Sequence, residues 1–120
     1  MQIFYVFIGG GLGSVLRYLL STFNVNRNDF IWPVGTFLAN LLSCFFLGVL
    51  MQKALSNQLH PSVGLLLATG FCGGFSTFST FSYELYLYFQ KGEFIAGMLY
   101  ICLSIILGII LIWAGFKIAQ

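Results

Sequence analysis

The sequence predicts an all-α membrane protein of four transmembrane helices, the third broken near its middle, and three observations carry that prediction. Of 120 residues, 59% are hydrophobic, with five Lys or Arg and three Asp or Glu, far below the ~25% charged residues usual in soluble domains. Uncharged stretches over about 2–16, 30–52, 61–83 and 94–116 approach or exceed the ~20 apolar residues that a spanning helix needs. The run GFCGGFSTFSTF, Gly70 to Phe81, then interrupts the third stretch with three glycines and four hydroxyl residues. Hydrocarbon accepts such loosened backbone only where protein buries it or a watery cavity receives it. The chain is therefore expected to form one domain, 1–120, with helices over about 2–23, 30–52, 61–89 and 94–118. Its connections, near 24–29, 53–60 and 90–93, leave no room for a soluble domain.

The first span lacks the basic start and small-residue cleavage pattern of a secretory signal and is expected to be a retained helix. Gly9 and Gly13 stand at the small-xxx-small spacing that lets helix backbones approach closely. Arg17 follows one turn later, where a cation in or near a span is costly. It either snorkels to water beside Tyr18 or makes an electropositive vestibule that draws anions.

In the second span Thr36, Asn40 and Ser43 are spaced by four and three and share a helix face. They form either interhelical hydrogen bonds or a lined path, since an amide with two donors and two hydroxyls can turn protons toward an anion. His60, before Pro61, reads as a solvated turn residue.

In the third span Ser-Thr-Phe occurs twice, placing Phe78 and Phe81 on one helical face. Phe rings at this spacing usually pack a core, but each ring has a positive edge, and edges beside an Asn amide make a weakly attractive lining for an anion. The break is expected at Gly73 to Phe75, freeing carbonyls whose negative ends suit a cation. Glu84, three residues after Phe81, is either an interfacial acid among Tyr83, Tyr86 and Tyr88 or a proton-coupled carboxylate.

The fourth span carries Tyr100, Ser104 and Gly108 at intervals of four, a second polar stripe that also offers close packing. Trp32 and Trp113 lie near span ends, where indoles anchor at headgroups. Cys44, Cys72 and Cys102 lack metal-ligand spacing and read as inert buried thiols. No triad or nucleotide motif points to an enzyme.

Orientation normally follows excess Lys and Arg on the cytoplasmic side. Here Lys53 and Lys117 on one face balance Arg27 and Lys91 on the other, beside Asp29 and Glu93. A chain without bias is able to insert both ways, and two opposite copies then pair about an axis in the membrane plane as an antiparallel dimer.

The segments GGGLGSVLRY, GTFLANLLSCFFLG and GFCGGFSTFSTF, in this order on the first three spans, resemble the Fluc (CrcB) family of fluoride channels. The resemblance covers most of the chain and is least diagnostic in the fourth span. It implies a dual-topology antiparallel dimer, as a homodimer or with an oppositely oriented homologue, in the cell membrane. It also implies two fluoride pores at the interface and a central structural Na+. That ion would sit on the backbone carbonyls of Gly73 and Ser76 from both subunits. Phe78 and Phe81 would be pore-lining rings and Asn40 the fluoride-orienting amide. Tyr100 and Ser104, with Thr36, would form a polar track, and Arg17 a vestibule or structural cation. The sequence departs at Gly108, where the family often has serine, and at Ser76, where threonine is common. The implied function is passive fluoride export that lowers cytoplasmic toxicity.

Two other classes fit a short four-span chain. A proton-coupled multidrug exporter should carry an acid in its first span, where this chain has Arg17. A non-transporting assembly subunit would need the glycine stripes but not the polar ones.

Overall fold

In a computed structural model, residues 1–22, 26–27 and 30–120 are described. The first helix, α1, spans Gln2–Ser21. The predicted end at Phe23 and the loop residues Asn24 and Asp29 lie outside the described residues. A two-residue antiparallel ladder follows, with β1 (Asn26–Arg27) paired to β2 (Phe30–Ile31). The second helix, α2, runs Val34–Leu55, starting later than residue 30. Pro33 precedes it as cap residue, and a proline disfavours helical geometry in the residue before it.

The third span occupies Pro61–Gln90 in four pieces. A short α3, Pro61–Gly64, is capped by His60, whose Nδ1 accepts from the Ser62 N–H at 3.3 Å. His60 is thus a helix cap as well as an exposed turn residue. A π-helical segment then covers Leu65–Cys72, followed by α4 at Gly73–Phe75 and α5 at Phe78–Gln90. The last helix, α6, is Phe94–Ile118.

The break therefore lies at Ser76 and Thr77 rather than at Gly73 to Phe75. Gly73–Phe75 stay helical, whereas Ser76 (φ −77°, ψ 158°) and Thr77 (φ −152°, ψ 121°) are extended. Glycine lowers the cost of leaving a helix, but a break forms where backbone groups find other partners, and those partners lie at Ser76 and Thr77.

Packing pairs α1 with the π segment and α4, and α2 with α6. At the first contact the backbones touch. A Cβ on Gly9 would lie 2.9 Å from Phe71 N, and one on Gly13 2.8 Å from Phe75 N, so a side chain at either position forces the helices apart. The second contact is also close. Cβ atoms on Gly48 and Gly115 would meet the backbones of Ile112 and Phe45. Gly11 has nothing within 4 Å. No more than 28% of any span's most apolar window is buried within the chain, and long rows such as Ile3, Phe4 and Phe7 on α1 or Ile105, Ile106 and Ile109 on α6 face outward.

The α1 contact yields a paired prediction. Gly13→Ala should destabilise the folded protein by ~1–3 kcal/mol through overpacking, and Gly11→Ala should change stability by less than ~0.5 kcal/mol. Thermal unfolding of both variants in detergent checks it, and equal effects would refute the backbone contact.

Candidate functional site: the break in the third span

At the break the structure distributes donors over exposed carbonyls one by one. The last helical bond is Ser76 N–H to Cys72 O at 3.0 Å. In an unbroken α-helix the next N–H, that of Thr77, would bond to Gly73 O. It instead donates to Asn40 Oδ1 at 2.8 Å, while Asn40 Nδ2 donates to Thr77 O at 3.3 Å. The side-chain amide thus pairs with Thr77 as a neighbouring strand would. Arg17 Nε donates to Gly74 O at 3.0 Å, with Ser14 Oγ at 3.5 Å from the same oxygen. Ser43 and Ser76 hydroxyls both donate to Cys72 O, at 3.2 and 2.9 Å.

Among the described residues, no donor is bonded to the carbonyls of Gly73 and Ser76. Gly73 is exposed, and a Cβ there would have open space within 4 Å.

Beyond the break α5 starts afresh. Thr77 Oγ1 accepts from the Thr80 N–H at 3.3 Å as its cap and bonds Thr80 Oγ1 at 3.2 Å. This start fixes Phe78 and Phe81 one turn apart, with ring centroids separated by 6.3 Å and planes at 40°. Phe81 meets Tyr100 of α6 edge-on, at 4.9 Å and 60°. Phe78 is 81% exposed within the chain, although its neighbour Thr77 is half-buried at the centre of the span.

The polar stripes of α2 and α6 converge on a residue that the sequence reading placed at the interface or in proton coupling. The half-buried Glu84 accepts from Thr36 Oγ1 at 2.6 Å and from the Tyr100 hydroxyl at 2.9 Å. Thr36 and Tyr100 are both buried. Its i+3 spacing from Phe81 was the available signal, since it keeps the carboxylate on the ring-bearing face.

The parallel register of α2 and α6, which sets Cys44 beside Gly108 and Gly48 against Ile112, puts Ser104 level with Asn40. Ser104 Oγ is buried and has no hydrogen-bond partner among the described residues. A Cβ on Gly108 would lie 3.3 Å from Cys44 Sγ, so a side chain there would press on the Cys44 thiol.

The structure thus brings Asn40 to the break, Thr36 and Tyr100 to Glu84, and Phe81 to Tyr100. Ser104 lies at the Asn40 level, and Arg17 sits on the α4 carbonyl end. Ser43 does not join a free stripe, because its hydroxyl serves Cys72 O. Among the described residues, the second Asn40 amide proton and the Ser104 hydroxyl at this level are uncommitted.

Comparison with known proteins agrees across the chain. The family described as "CrcB-like protein, Camphor Resistance (CrcB)" matches residues 4–116. A protein of Azobacteroides pseudotrichonymphae genomovar. CFP2 named "Fluoride-specific ion channel FluC" is 43% identical, over 99% of this chain and 96% of its own length. One of the same name from Gloeothece citriformis (strain PCC 7424) is 38% identical, over 100% and 98%. "Fluoride-specific ion channel FluC 1" of Staphylococcus aureus (strain NCTC 8325 / PS 47) is 41% identical, over 98% and 96%. With four helices long and apolar enough to cross a bilayer and this similarity along its whole length, the chain is a multi-pass membrane protein that belongs to the CrcB family of fluoride channels.

Proposed function

We propose that the chain is a passive, fluoride-selective channel, not an enzyme, that lets fluoride leave the cytoplasm and so lowers its toxicity. The observation that carries this reading is the set of uncommitted neutral donors beside the aromatic pair. Among the described residues, one proton of Asn40, which is bonded to Thr77 just before Phe78, and the Ser104 hydroxyl one level across on α6 have no protein acceptor. Fluoride is small and strongly hydrated, so a pore has to replace water's donors without holding the ion too tightly to release it. Amide and hydroxyl protons with positive ring edges meet that requirement better than a fixed ammonium, which would trap the anion. Thr36 and Tyr100 extend the donor series. Their protons rest on Glu84, so a fluoride between them competes with that carboxylate for the same two hydroxyls.

The working unit in this reading is an antiparallel dimer, of two copies or of this chain and an oppositely oriented homologue, in the cell membrane. Phe78, exposed in the single chain, then meets the partner, and the two pores run along the interface. The carbonyls of Gly73 and Ser76 suit a central Na+, because their helical donors, the Thr77 and Thr80 N–H groups, are taken by Asn40 Oδ1 and Thr77 Oγ1. When bound, the ion supplies a fixed positive charge that joins the two breaks. Arg17 acts as a structural cation on Gly74 O rather than as a free vestibule charge.

Fluoride efflux from liposomes tests the function. With fluoride inside and no pH gradient, the protein, with an oppositely oriented partner if it needs one, should release fluoride far faster than chloride. Efflux no greater than from protein-free vesicles would defeat the channel reading, and efflux that requires a proton gradient would favour coupled export.

The ring assignment has its own test. Phe81→Ile keeps an apolar side chain but removes the edge, and should reduce fluoride flux by about tenfold or more, the equivalent of ~1.4 kcal/mol, while the dimer persists on size exclusion. Unchanged flux would remove Phe81 from the pore.

A further inference from the structure

Resting on the fluoride and sodium reading above, we propose that Asn40 is also a positioning residue for the cation site. By taking the Thr77 N–H it keeps the Gly73 carbonyl open to an ion, so one side chain serves both ions.

The argument starts from a competition for one proton. The Thr77 N–H has two candidate acceptors, Gly73 O one turn back and Asn40 Oδ1, and the amide holds it at 2.8 Å. The return bond from Nδ2 to Thr77 O, at 3.3 Å, adds a second point of attachment and fixes the amide plane. Extended angles at Ser76 and Thr77 are the backbone result. Without the Asn40 amide the Thr77 N–H would be left unpaired in a region without bulk water, a cost of several kcal/mol. Its natural replacement is Gly73 O, and that bond turns the carbonyl back along the helix axis and takes one of its two lone pairs, so it serves a cation less well.

Among the described residues no other side chain does this for Gly73 O, while Thr77 Oγ1, by taking the Thr80 N–H, does the same for Ser76 O. Arg17 and Ser14 serve Gly74 O, and Ser43 serves Cys72 O, which already accepts its helical bond from Ser76. These groups satisfy carbonyls, whereas Asn40 removes a competing donor from one. The same pairing also restrains the anion side. Asn40 cannot rotate its remaining proton toward a passing fluoride without releasing Thr77, and Thr77 is the residue that caps the helix of Phe78 and Phe81. Asn40 is thus a fixed donor, and the cation site and the ring ladder are held by the same residue pair.

The test separates the two roles with two substitutions in the full-length dimer. Thermal stability is followed as Na+ replaces N-methylglucamine at constant ionic strength, and fluoride efflux is measured in parallel. Wild type should gain stability as Na+ rises. Asn40→Ala should raise the half-saturating Na+ concentration by about tenfold or more, because a new bond occupies Gly73 O. Asn40→Asp keeps an acceptor for the Thr77 N–H, so its half-saturating concentration should stay within about threefold of wild type or fall below it, even though loss of the amide donor cuts fluoride efflux.

The inference is overturned if Asn40→Ala responds to Na+ as wild type does, or if Asn40→Asp loses the response. Should Asn40→Ala not fold, the Asn40→Asp titration decides alone, retention supporting the inference and loss overturning it. A wild-type dimer indifferent to Na+ would instead defeat the sodium reading itself and leave the fluoride reading standing.

Discussion

The backbone of Thr77 is paired with the side chain of Asn40 instead of with its own helix, and the rest of the central architecture follows from that exchange. A helix in hydrocarbon has to satisfy its own N–H and C=O groups. Diverting one N–H at mid-span therefore ends α4 and leaves its terminal carbonyls to be served from elsewhere. Arg17 and Ser14 on α1 serve the one at Gly74, and Ser43 on α2 adds a bond to Cys72 O just before it. It also starts α5, whose first turn presents Phe78 and whose later turns bring Phe81 and Glu84 to Tyr100 and Thr36. A break that looks like a weakness in a spanning helix is thus a site with assigned partners, approached closely by α1 because Gly9 and Gly13 have no side chains.

Much of this was legible in the sequence, and the parts that were not share a physical cause. Span positions follow from runs of apolar residues, and the polar stripes of α2 and α6 from spacing along one helix. Local composition points to a break at Gly73 to Phe75, because glycine marks where a helix is easily lost. The actual position, Ser76 and Thr77, depends on an amide from another helix, which local composition cannot register. The π segment at Leu65–Cys72 has no sequence signal we recognise; it accompanies the backbone contact with α1. The late start of α2 was available from Pro33. Spacing along one helix marks Glu84 but does not join it to Thr36 and Tyr100, since those contacts depend on how α2, α5 and α6 pack.

Two structural facts bear on assembly. The most exposed of the central rings, Phe78, and the open face of Gly73 lie beside the break, where a single chain leaves carbonyls that lipid cannot satisfy. The near-even distribution of basic residues between the two membrane faces permits the partner to be inserted upside down. An interface between breaks would bury the open carbonyls around a shared cation and enclose the rings against a second subunit.

The central claim is that the break faces another subunit's break at mid-membrane, and cross-linking measures it most directly. Gly73→Cys, in a chain whose own three cysteines are replaced by alanine, puts a thiol at the open face of α4 in reconstituted protein. With a short thiol-to-thiol cross-linker, the account predicts a covalent dimer that forms in high yield at dilute protein-to-lipid ratio. A product that stays monomeric, while the same protein migrates as a dimer without reagent, would contradict it.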